Sequence, residues 1–318
     1  MPGHQGRAPL RLGLVGRGPW GQKIAAALKT LPGVELAGIA GRADWPALVA
    51  DPTVAGIIVA APPAAHAEIA LVAIKAGKAV FIEKPLALDV VQAEAILAEA
   101  EKAGVGAMVD HVHLFHPAYG ELKRQLAAES PVHMVRGRGG RRGPFRADAP
   151  VLWDWGPHDV AYALDLLGPT PERVTAFIGK RAETPEGMGE IVALSLVYAD
   201  GGRAELEFGN LYDSPVRELI VQCAECDLVV DEKSKKPLVR LPRRETESCL
   251  PEENAAEGAS RLIPVGTDSP LTVALTAFAD SIRAGRGGRA EVSSLALGVA
   301  VVRVLARAER ALATGNPA

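Results

Sequence analysis

The chain has 318 residues, 48% of them hydrophobic, and a formal net charge of -3. This length suits two domains, each with its own apolar core. The slightly negative charge argues against nucleic acid as a partner, and prolines and charged residues interrupt the longer apolar stretches, which argues against a membrane span. Three cysteines imply no disulfide framework, and the first nine residues lack the apolar core of a signal peptide. We therefore expect a protein of the reducing cytoplasm.

The first third of the chain alternates strand and helix patterns, which predicts a parallel sheet with crossover helices. A short buried strand is predicted at 10–15, and helices are predicted at 66–76 and 90–102. Gly77 and Gly104 follow these two helices as stop signals. The further strands are predicted at 34–40, 56–60, 79–82 and 106–109.

A glycine-rich turn follows the first predicted strand and opens the first helix, with the pattern G-x-G-x-x-G. In that context Gly16 permits a tight turn, Gly18 lets the backbone approach a diphosphate, and Gly21 allows close packing of helix on strand. An ordinary glycine turn is the alternative. The dinucleotide interpretation makes cofactor-binding residues of Gly16, Arg17, Gly18, Pro19 and Trp20.

The end of the second predicted strand indicates which nicotinamide cofactor is bound. An acidic residue at this place grips a ribose 2′-hydroxyl, whereas a small residue followed by Arg accommodates a 2′-phosphate. Here Gly41 and Arg42 end the strand, which favours NADP(H) over NAD(H), with Asp44 as an alternative ribose ligand. Residues 41–55 leave room for one crossover but not for a further strand, so the sheet should stop at its second strand.

Glu83-Lys84-Pro85 ends the fourth predicted strand, where a parallel sheet presents its ligands. A Lys at this place is positioned for proton transfer, and Pro85 restricts the backbone beside it. A solvated Glu-Lys pair at a strand end is the alternative.

After residue 117 the pattern changes to short strands separated by turns, which predicts a mostly antiparallel sheet. The residues from 231 to 258 are predicted to be a loop or an irregular excursion, and helices are predicted at 271–284 and 294–313. We expect a Rossmann domain at 1–118 and an α+β domain for substrate and oligomer contacts at 119–318. Strands are predicted at 174–178, 191–198, 203–208, 217–222 and 228–230.

A basic, glycine-rich run precedes the second half of the chain. Its spacing predicts a mobile loop whose guanidinium groups either clamp a carboxylate or diphosphate or are simply solvated. An anionic substrate is expected on the first interpretation, bound by Arg141 and Arg142 in particular. The run comprises Arg136, Arg138, Arg141, Arg142 and Arg146.

Two further clusters resemble metal or redox sites. His111, His113 and His116 follow the fifth predicted strand, and strand alternation would put His111 and His113 on one face. We expect His111 or His113 to contact substrate or nicotinamide rather than a metal, and we predict no metal site. Cys223 and Cys226 have redox spacing but lie in the antiparallel half, which favours a structural role.

The order of these parts resembles the Gfo/Idh/MocA family, named after glucose-fructose oxidoreductase, inositol dehydrogenase and a rhizopine-catabolism protein. The resemblance covers nearly the whole chain. Within it, the 151–159 segment looks most like the branch that acts on nucleotide-linked amino sugars at C3. It rests on the 16–21 turn, Ala61-Pro62-Pro63 with His66, Glu83-Lys84-Pro85, Phe115-His116-Pro117-Ala118 and the 151–159 segment.

The resemblance implies a sugar-type NAD(P)-dependent dehydrogenase or reductase in which Lys84, Asp154 and His158 are catalytic. Asp154 and His158 would share one helix face, and Trp153 would join the substrate site with them. A helix cap for Asp154 and a core histidine for His158 are the alternatives. The family also implies that Ala61, Pro62, His66, Glu83, Lys84 and Pro85 bind cofactor.

Family members pair through the open sheet of the second domain, so a homodimer or homotetramer is expected. A non-catalytic NAD(P)-binding regulatory protein on the same fold is the rival interpretation. Lys84, Asp154 and His158 together favour the enzyme, because a sensor requires none of them. Family members normally fit a further strand into the interval that residues 41–55 occupy here. Without that strand the adenosine side of the cofactor would be open, so we expect either weak cofactor affinity or a neighbouring subunit that covers the gap.

Overall fold

The computed structural model describes residues 8–129, 131–146, 149–243, 260–285 and 292–315. They form two compact units. The first contains the described residues up to Phe115 together with Asp268–Val302, and the second contains His116–Thr267 and the residues from Arg303 onward. The division expected from the sequence, 1–118 and 119–318, runs along the chain. By packing, the segment Asp268–Val302 lies with the first unit.

The first unit is built on a five-stranded sheet in which every pair of neighbouring strands is parallel. Its strand order is β2-β1-β3-β4-β5, so the sheet ends at β2, as predicted. Continuous apolar runs place β3 and β4 wholly in the core, as expected for strands covered on both faces. The strands are Leu10–Val15 (β1), Val34–Ala40 (β2), Gly56–Val59 (β3), Ala79–Glu83 (β4) and Ala107–Asp110 (β5).

Helices connect these strands and follow them in the second unit, and the predicted helices are confirmed to within a few residues at their ends. Gly104 closes the fourth helix with φ of 63°, the left-handed conformation that glycine adopts at little cost. The helices are Pro19–Leu28 (α1), Trp45–Ala50 (α2), His66–Lys75 (α3), Val90–Ala103 (α4), Pro117–Leu126 (α5), Val151–Leu167 (α6), Pro270–Arg283 (α7) and Leu295–Thr314 (α8). No helix among the described residues is long and apolar enough to cross a membrane.

Helix α7 brings the late segment back to the first unit. Its Phe278 is fully buried, and the ring centroid lies 5.5 Å from that of Phe81 in β4. Beyond it, Ser293 donates a hydrogen bond to the carbonyl oxygen of Val109 at 2.6 Å. These contacts fasten the late segment to β4 and β5.

The second unit contains an eight-stranded sheet in the order β13-β12-β11-β10-β6-β9-β8-β7. All neighbouring pairs are antiparallel except β6 and β9. Helix α6 packs on β6, β8 and β9. The strands are Met134–Arg142 (β6), Arg173–Thr184 (β7), Gly187–Val197 (β8), Arg203–Gly209 (β9), Leu211–Gln222 (β10), Cys226–Asp231 (β11), Leu238–Pro242 (β12) and Arg261–Leu262 (β13).

Two predictions for the second half were wrong. The run 136–142, expected to be a mobile loop, is β6 in the middle of this sheet, hydrogen-bonded to β9 and β10. The predicted excursion from 231 to 258 contains β12, which pairs with β11. The rest of that excursion from residue 244 lies outside the described residues. At β6, pairing with the distant strands β9 and β10 overrides a local sequence that favours a loop, whereas β12 is the return strand of a hairpin with β11.

An ion pair is buried where α6 meets this sheet. Asp159 is fully buried, and its Oδ2 atom lies 2.8 Å from Nη1 of Arg217, whose side chain is 6% exposed. A Cβ atom on Gly139 would lie 2.3 Å from the same Nη1, so glycine in β6 makes the space for the guanidinium group. Burial of both charges is tolerated because each provides the other's partner.

Candidate functional site

The glycine turn between β1 and α1 is shaped by contacts with its own surroundings. Gly16 has φ of +136°, and a Cβ atom there would lie 2.2 Å from the carbonyl oxygen of Ala60. A Cβ atom on Gly21 would lie 2.2 Å from the carbonyl oxygen of Gly16. Both positions therefore require glycine for the fold of the turn itself.

Gly18 differs from these two glycines. It is the N-cap of α1, has ordinary φ of -68°, and a Cβ atom there would meet nothing within 4 Å. No side chain caps the helix, so the first-turn amides of α1 have no side-chain acceptor at this end. An open backbone approach to uncapped amides at the positive end of a helix fits a diphosphate, so these residues fit a dinucleotide cofactor.

The Glu83-Lys84-Pro85 segment lies at the carboxyl end of β4 and is fastened to two neighbouring loops. The indole nitrogen of Trp20, in α1, donates a hydrogen bond to Oε1 of buried Glu83. On the other side, His66 is buried with Nδ1 at 2.8 Å from the carbonyl oxygen of Pro85 and Nε2 at 2.8 Å from that of Ala61. Burial lowers the pKa of His66, and the two carbonyl contacts oppose that shift. The glycine turn, the β3 loop and Lys84 are thereby held together within the first unit.

Glu83 has a second acidic neighbour that the sequence analysis missed. In the β4–β5 register Glu83 is paired with Asp110, so the two side chains leave the sheet on the same side. Both residues are buried, at 8% and 1% exposure. Burial raises the pKa of Asp110 to about 6, and burial together with the Asp110 charge raises the pKa of Glu83 well above its ordinary value. The only sequence signal was an acidic residue at the end of each of two adjacent strands.

The histidines after β5 are not arranged by strand alternation, so that expectation was wrong. β5 ends at Asp110, and Val112–Phe115 forms a turn of 3-10 helix. His111 is buried and His113 is half-buried. Burial lowers the pKa of His111 to about 3, with the positive charges of Lys84 and His113 adding to the effect. His111 is therefore a neutral imidazole beside Lys84.

Arg42 and Asp44 follow the end of β2. Arg17 reaches across from the glycine turn, with Nη2 2.5 Å from Oδ2 of Asp44 and 3.2 Å from the carbonyl oxygen of Ile39. The amide of Gly41 donates to Oδ1 of Asp44 at 2.8 Å, and this bond is the main cause of a lowered pKa of Asp44. Arg42 is exposed. Asp44 is thus engaged by Arg17 and Gly41, while Arg42 faces solvent.

In the second unit, α6 carries Asp154 and His158 one helical turn apart, as the spacing predicted. Both are half-buried, and Asp154 lies 3.5 Å from Nη1 of Arg146. Trp153 is buried, and its indole nitrogen donates to Glu309 at 3.0 Å. The catalytic role of Asp154 and His158 and the substrate role of Trp153 stay predictions.

The basic run does not form a single cluster. Arg136 pairs with Glu205 at 3.0 Å, and Arg138 lies 3.4 Å from Glu218, so their charges are partly met within the sheet. Arg141 and Arg142, at the end of β6, are exposed. These two remain the candidates for binding an anion.

Cys223 and Cys226 flank the turn between β10 and β11. Both are buried free thiols. Burial raises the pKa of each thiol, to about 11 for Cys226. A reactive cysteine needs the opposite shift, so neither residue has the character of a reactive thiol. Among the described residues no group of three or more His, Cys, Asp or Glu side chains is placed to hold a metal ion.

A parallel sheet with a glycine turn after its first strand and a Lys after its fourth defines a dinucleotide-binding fold of the oxidoreductase class. Residues 34–111 match the profile of the oxidoreductase family with an NAD-binding Rossmann fold, and residues 126–228 match the GFO/IDH/MocA C-terminal domain. The chain belongs to the Gfo/Idh/MocA family. The resemblance noted in the sequence and the predicted fold class are both confirmed.

Several solved structures resemble the chain over nearly its full length. One of them, a proposed oxidoreductase from Magnetospirillum magnetotacticum MS-1, is 36% identical, with a TM-score of 0.84 over 94% of this chain and 99% of that one. Among curated relatives, scyllo-inositol 2-dehydrogenase (NAD(+)) of Bacillus subtilis (strain 168) is 28% identical over 48% of each chain. UDP-N-acetylglucosamine 3-dehydrogenase of Acidithiobacillus ferrooxidans is 28% identical over 51% of each chain. The matches thus span about half the length of these two relatives.

Proposed function

We propose that this protein is an NAD(P)-dependent oxidoreductase that transfers hydride between nicotinamide and a secondary alcohol or ketone of a sugar-like substrate. The observation that carries the proposal is the hydrogen bond from Trp20 to Glu83. It fastens the glycine turn, which fits a diphosphate, to the residue next to Lys84. A purely structural turn has no need of an ionisable Lys at the carboxyl edge of the sheet.

The chemistry requires a base for the substrate hydroxyl. When bound, nicotinamide accepts the hydride from carbon, and a side chain must take the hydroxyl proton as it leaves. We assign this proton to Nζ of Lys84. His158 binds or relays the proton, and Asp154 orients the imidazole or the substrate from the preceding turn of α6. The half-burial of Lys84, Asp154 and His158 supports the assignment, because each side chain is partly accessible and partly desolvated.

The substrate class is proposed from the relatives and from the arginines. The two curated relatives are named for a cyclitol and for a nucleotide sugar. Exposed Arg141 and Arg142 favour an anionic substrate, such as a nucleotide sugar or a sugar acid. The double change Arg141→Ala and Arg142→Ala should raise KM for anionic substrates at least tenfold. An equal KM for anionic and neutral substrates in that variant would contradict an anionic preference.

We propose NADP(H) as the preferred cofactor. Asp44, the alternative ribose ligand, is instead bound by Arg17 and the amide of Gly41, whereas exposed Arg42 is available to a 2′-phosphate. Arg42→Ala should therefore weaken NADPH binding about tenfold, a loss of one charge-assisted contact, and leave NADH binding nearly unchanged. An unchanged ratio of NADPH to NADH affinity would refute the assignment.

The decisive experiment is hydride transfer, followed by nicotinamide absorbance, across nucleotide sugars, sugar acids and cyclitols. We expect turnover with at least one class, lost in Lys84→Met and retained in Lys75→Met. Lys75 is an exposed lysine at the end of α3 and provides a matched control. Tight NADPH binding without turnover of any substrate would favour the regulatory protein instead. Pairing of chains through the second sheet is a separate prediction, tested by light scattering.

A further inference from the structure

The carboxyl ends of β4 and β5 hold two buried carboxyl groups that the proposed reaction does not use directly. Glu83 and Asp110 are register partners, and neither Oδ atom of Asp110 has a hydrogen-bond partner among the described residues. Two ionised carboxylates are both acceptors, so they cannot satisfy each other. A buried carboxylate oxygen without a hydrogen-bond donor costs free energy, so the pair needs a donor from another source.

A proton on one of the two groups resolves this conflict. The protonated carboxyl then donates to its neighbour, and the pair carries one negative charge in place of two. The indole nitrogen of Trp20 adds a donor to Glu83 from α1. No water or metal is needed for this arrangement.

We propose that Glu83 and Asp110 hold one proton between them, and that Asp110 is thereby a positioning residue which sets the charge facing Lys84. The positioning role of Asp110 rests on the proposed function, whereas the shared proton does not. With one proton the pair presents a single negative charge to the Lys84 ammonium group. With two protons that charge would vanish.

The charged and titratable groups around the pair are few. Lys84 follows β4, and its positive charge lowers the pKa of both carboxyl groups. His111 follows β5 and is kept neutral by burial, while His113 contributes its charge to the shift of His111. From α3, His66 is also affected by Lys84. Lys84 is therefore the main positive group that responds to the state of the pair.

The raised pKa values agree with this arrangement. Burial raises the pKa of Asp110 to about 6, and burial together with the Asp110 charge raises the pKa of Glu83 well above its ordinary value. On the proposed arrangement one proton stays on the pair at neutral pH, and the second binds as the pH falls through about 6.

Infrared spectroscopy of the unliganded protein tests the shared proton. At pH 7 we expect a carbonyl stretching band of a protonated carboxyl group that is absent from the spectra of Glu83→Gln and Asp110→Asn. In the second variant the amide donates to Glu83, which is then able to ionise. Glu68→Gln, which alters an exposed carboxylate on α3, should retain the band. No such band in the wild type, or a band that survives Asp110→Asn, would overturn the shared proton.

The dependence of kcat/KM on pH tests the positioning role. In the wild type we expect activity to fall as the pH drops through about 6, because the pair then takes its second proton and its charge no longer holds the Lys84 ammonium group in position. In Asp110→Asn this limb should move to lower pH by about one unit or more, because the neutral amide cannot bind that proton. A purely structural defect would lower activity at all pH values alike, so an unmoved limb would overturn the role. The infrared result stands whether or not a substrate is found, which separates the two proposals.

Discussion

Gly16 and Gly18 lie two residues apart in one turn, yet replacing each by Ala should have opposite consequences. At Gly16 the new methyl group meets the carbonyl oxygen of Ala60 at 2.2 Å, and φ of +136° is unfavourable for any L-residue. The backbone conformation costs about 1–3 kcal/mol and the overpacking about 1–3 kcal/mol, together about 2–6 kcal/mol. This is a large part of the roughly 5–15 kcal/mol that holds a typical protein folded.

At Gly18 the methyl group enters open space and the backbone is already in an ordinary conformation. The free energy of unfolding should therefore change by less than about 1 kcal/mol, the range of an N-cap substitution. Nucleotide binding should suffer instead, because the methyl group occupies the surface where a diphosphate approaches. A tenfold weaker affinity corresponds to about 1.4 kcal/mol.

Urea unfolding followed by circular dichroism measures the first effect, and quenching of tryptophan fluorescence by NADPH measures the second. We expect Gly16→Ala to lose stability and Gly18→Ala to lose affinity while remaining as stable as the wild type. Equal losses of stability in the two variants would refute the different roles assigned to Gly16 and Gly18. Unchanged NADPH affinity in Gly18→Ala would refute them as well.

Three further predictions concern stability. Between pH 3.8, the ordinary pKa of an aspartate, and about pH 6, Asp110 keeps its proton in the folded protein but releases it in the unfolded chain. The free energy of unfolding should therefore fall as the pH rises through this window. Urea titrations at each pH should show that the free energy of unfolding falls by about 3 kcal/mol more in the wild type than in Asp110→Asn, which is about 1.4 kcal/mol per pKa unit. A difference between the two proteins that does not change with pH would contradict this prediction. Arg217→Met should cost about 3–5 kcal/mol by removing the buried positive charge beside Asp159, and adding Asp159→Leu should recover much of that loss in urea unfolding; no recovery would show that packing dominates. Phe278→Ala should cost about 3–5 kcal/mol in the same assay by opening a cavity against Phe81, and a loss below about 1 kcal/mol would mean that α7 is not needed by this core.

Much of the first unit was predictable because its information is local. Strands such as β3 and β4 are continuous apolar runs between glycines and prolines, and the G-x-G-x-x-G turn has a fixed place between strand and helix. The 41–55 interval is short enough to predict the end of the sheet from chain length alone. None of these inferences needs a partner from elsewhere in the sequence.

The error over β6 and the missed Asp110 lie where distant segments decide the structure. Gly137, Gly139 and Gly140 make β6 look like a loop, yet a Cβ atom on Gly140 would lie 2.3 Å from the carbonyl oxygen of Gly209 in β9. Close approach of two strands, rather than flexibility, accounts for glycine at this position. Asp110 was missed for a related reason, because its importance depends on the register with Glu83 and not on its own neighbours in the chain.

The space left by Gly139 has an evolutionary consequence. Any side chain at this position would displace the Arg217 guanidinium group, and the buried Asp159 carboxylate would then lose the positive charge that faces it. A homologue with a larger residue at position 139 should also lack the arginine at 217 and the aspartate at 159. During its evolution the aspartate should have been replaced early. The three positions are distant along the chain, but they should be inherited as one unit.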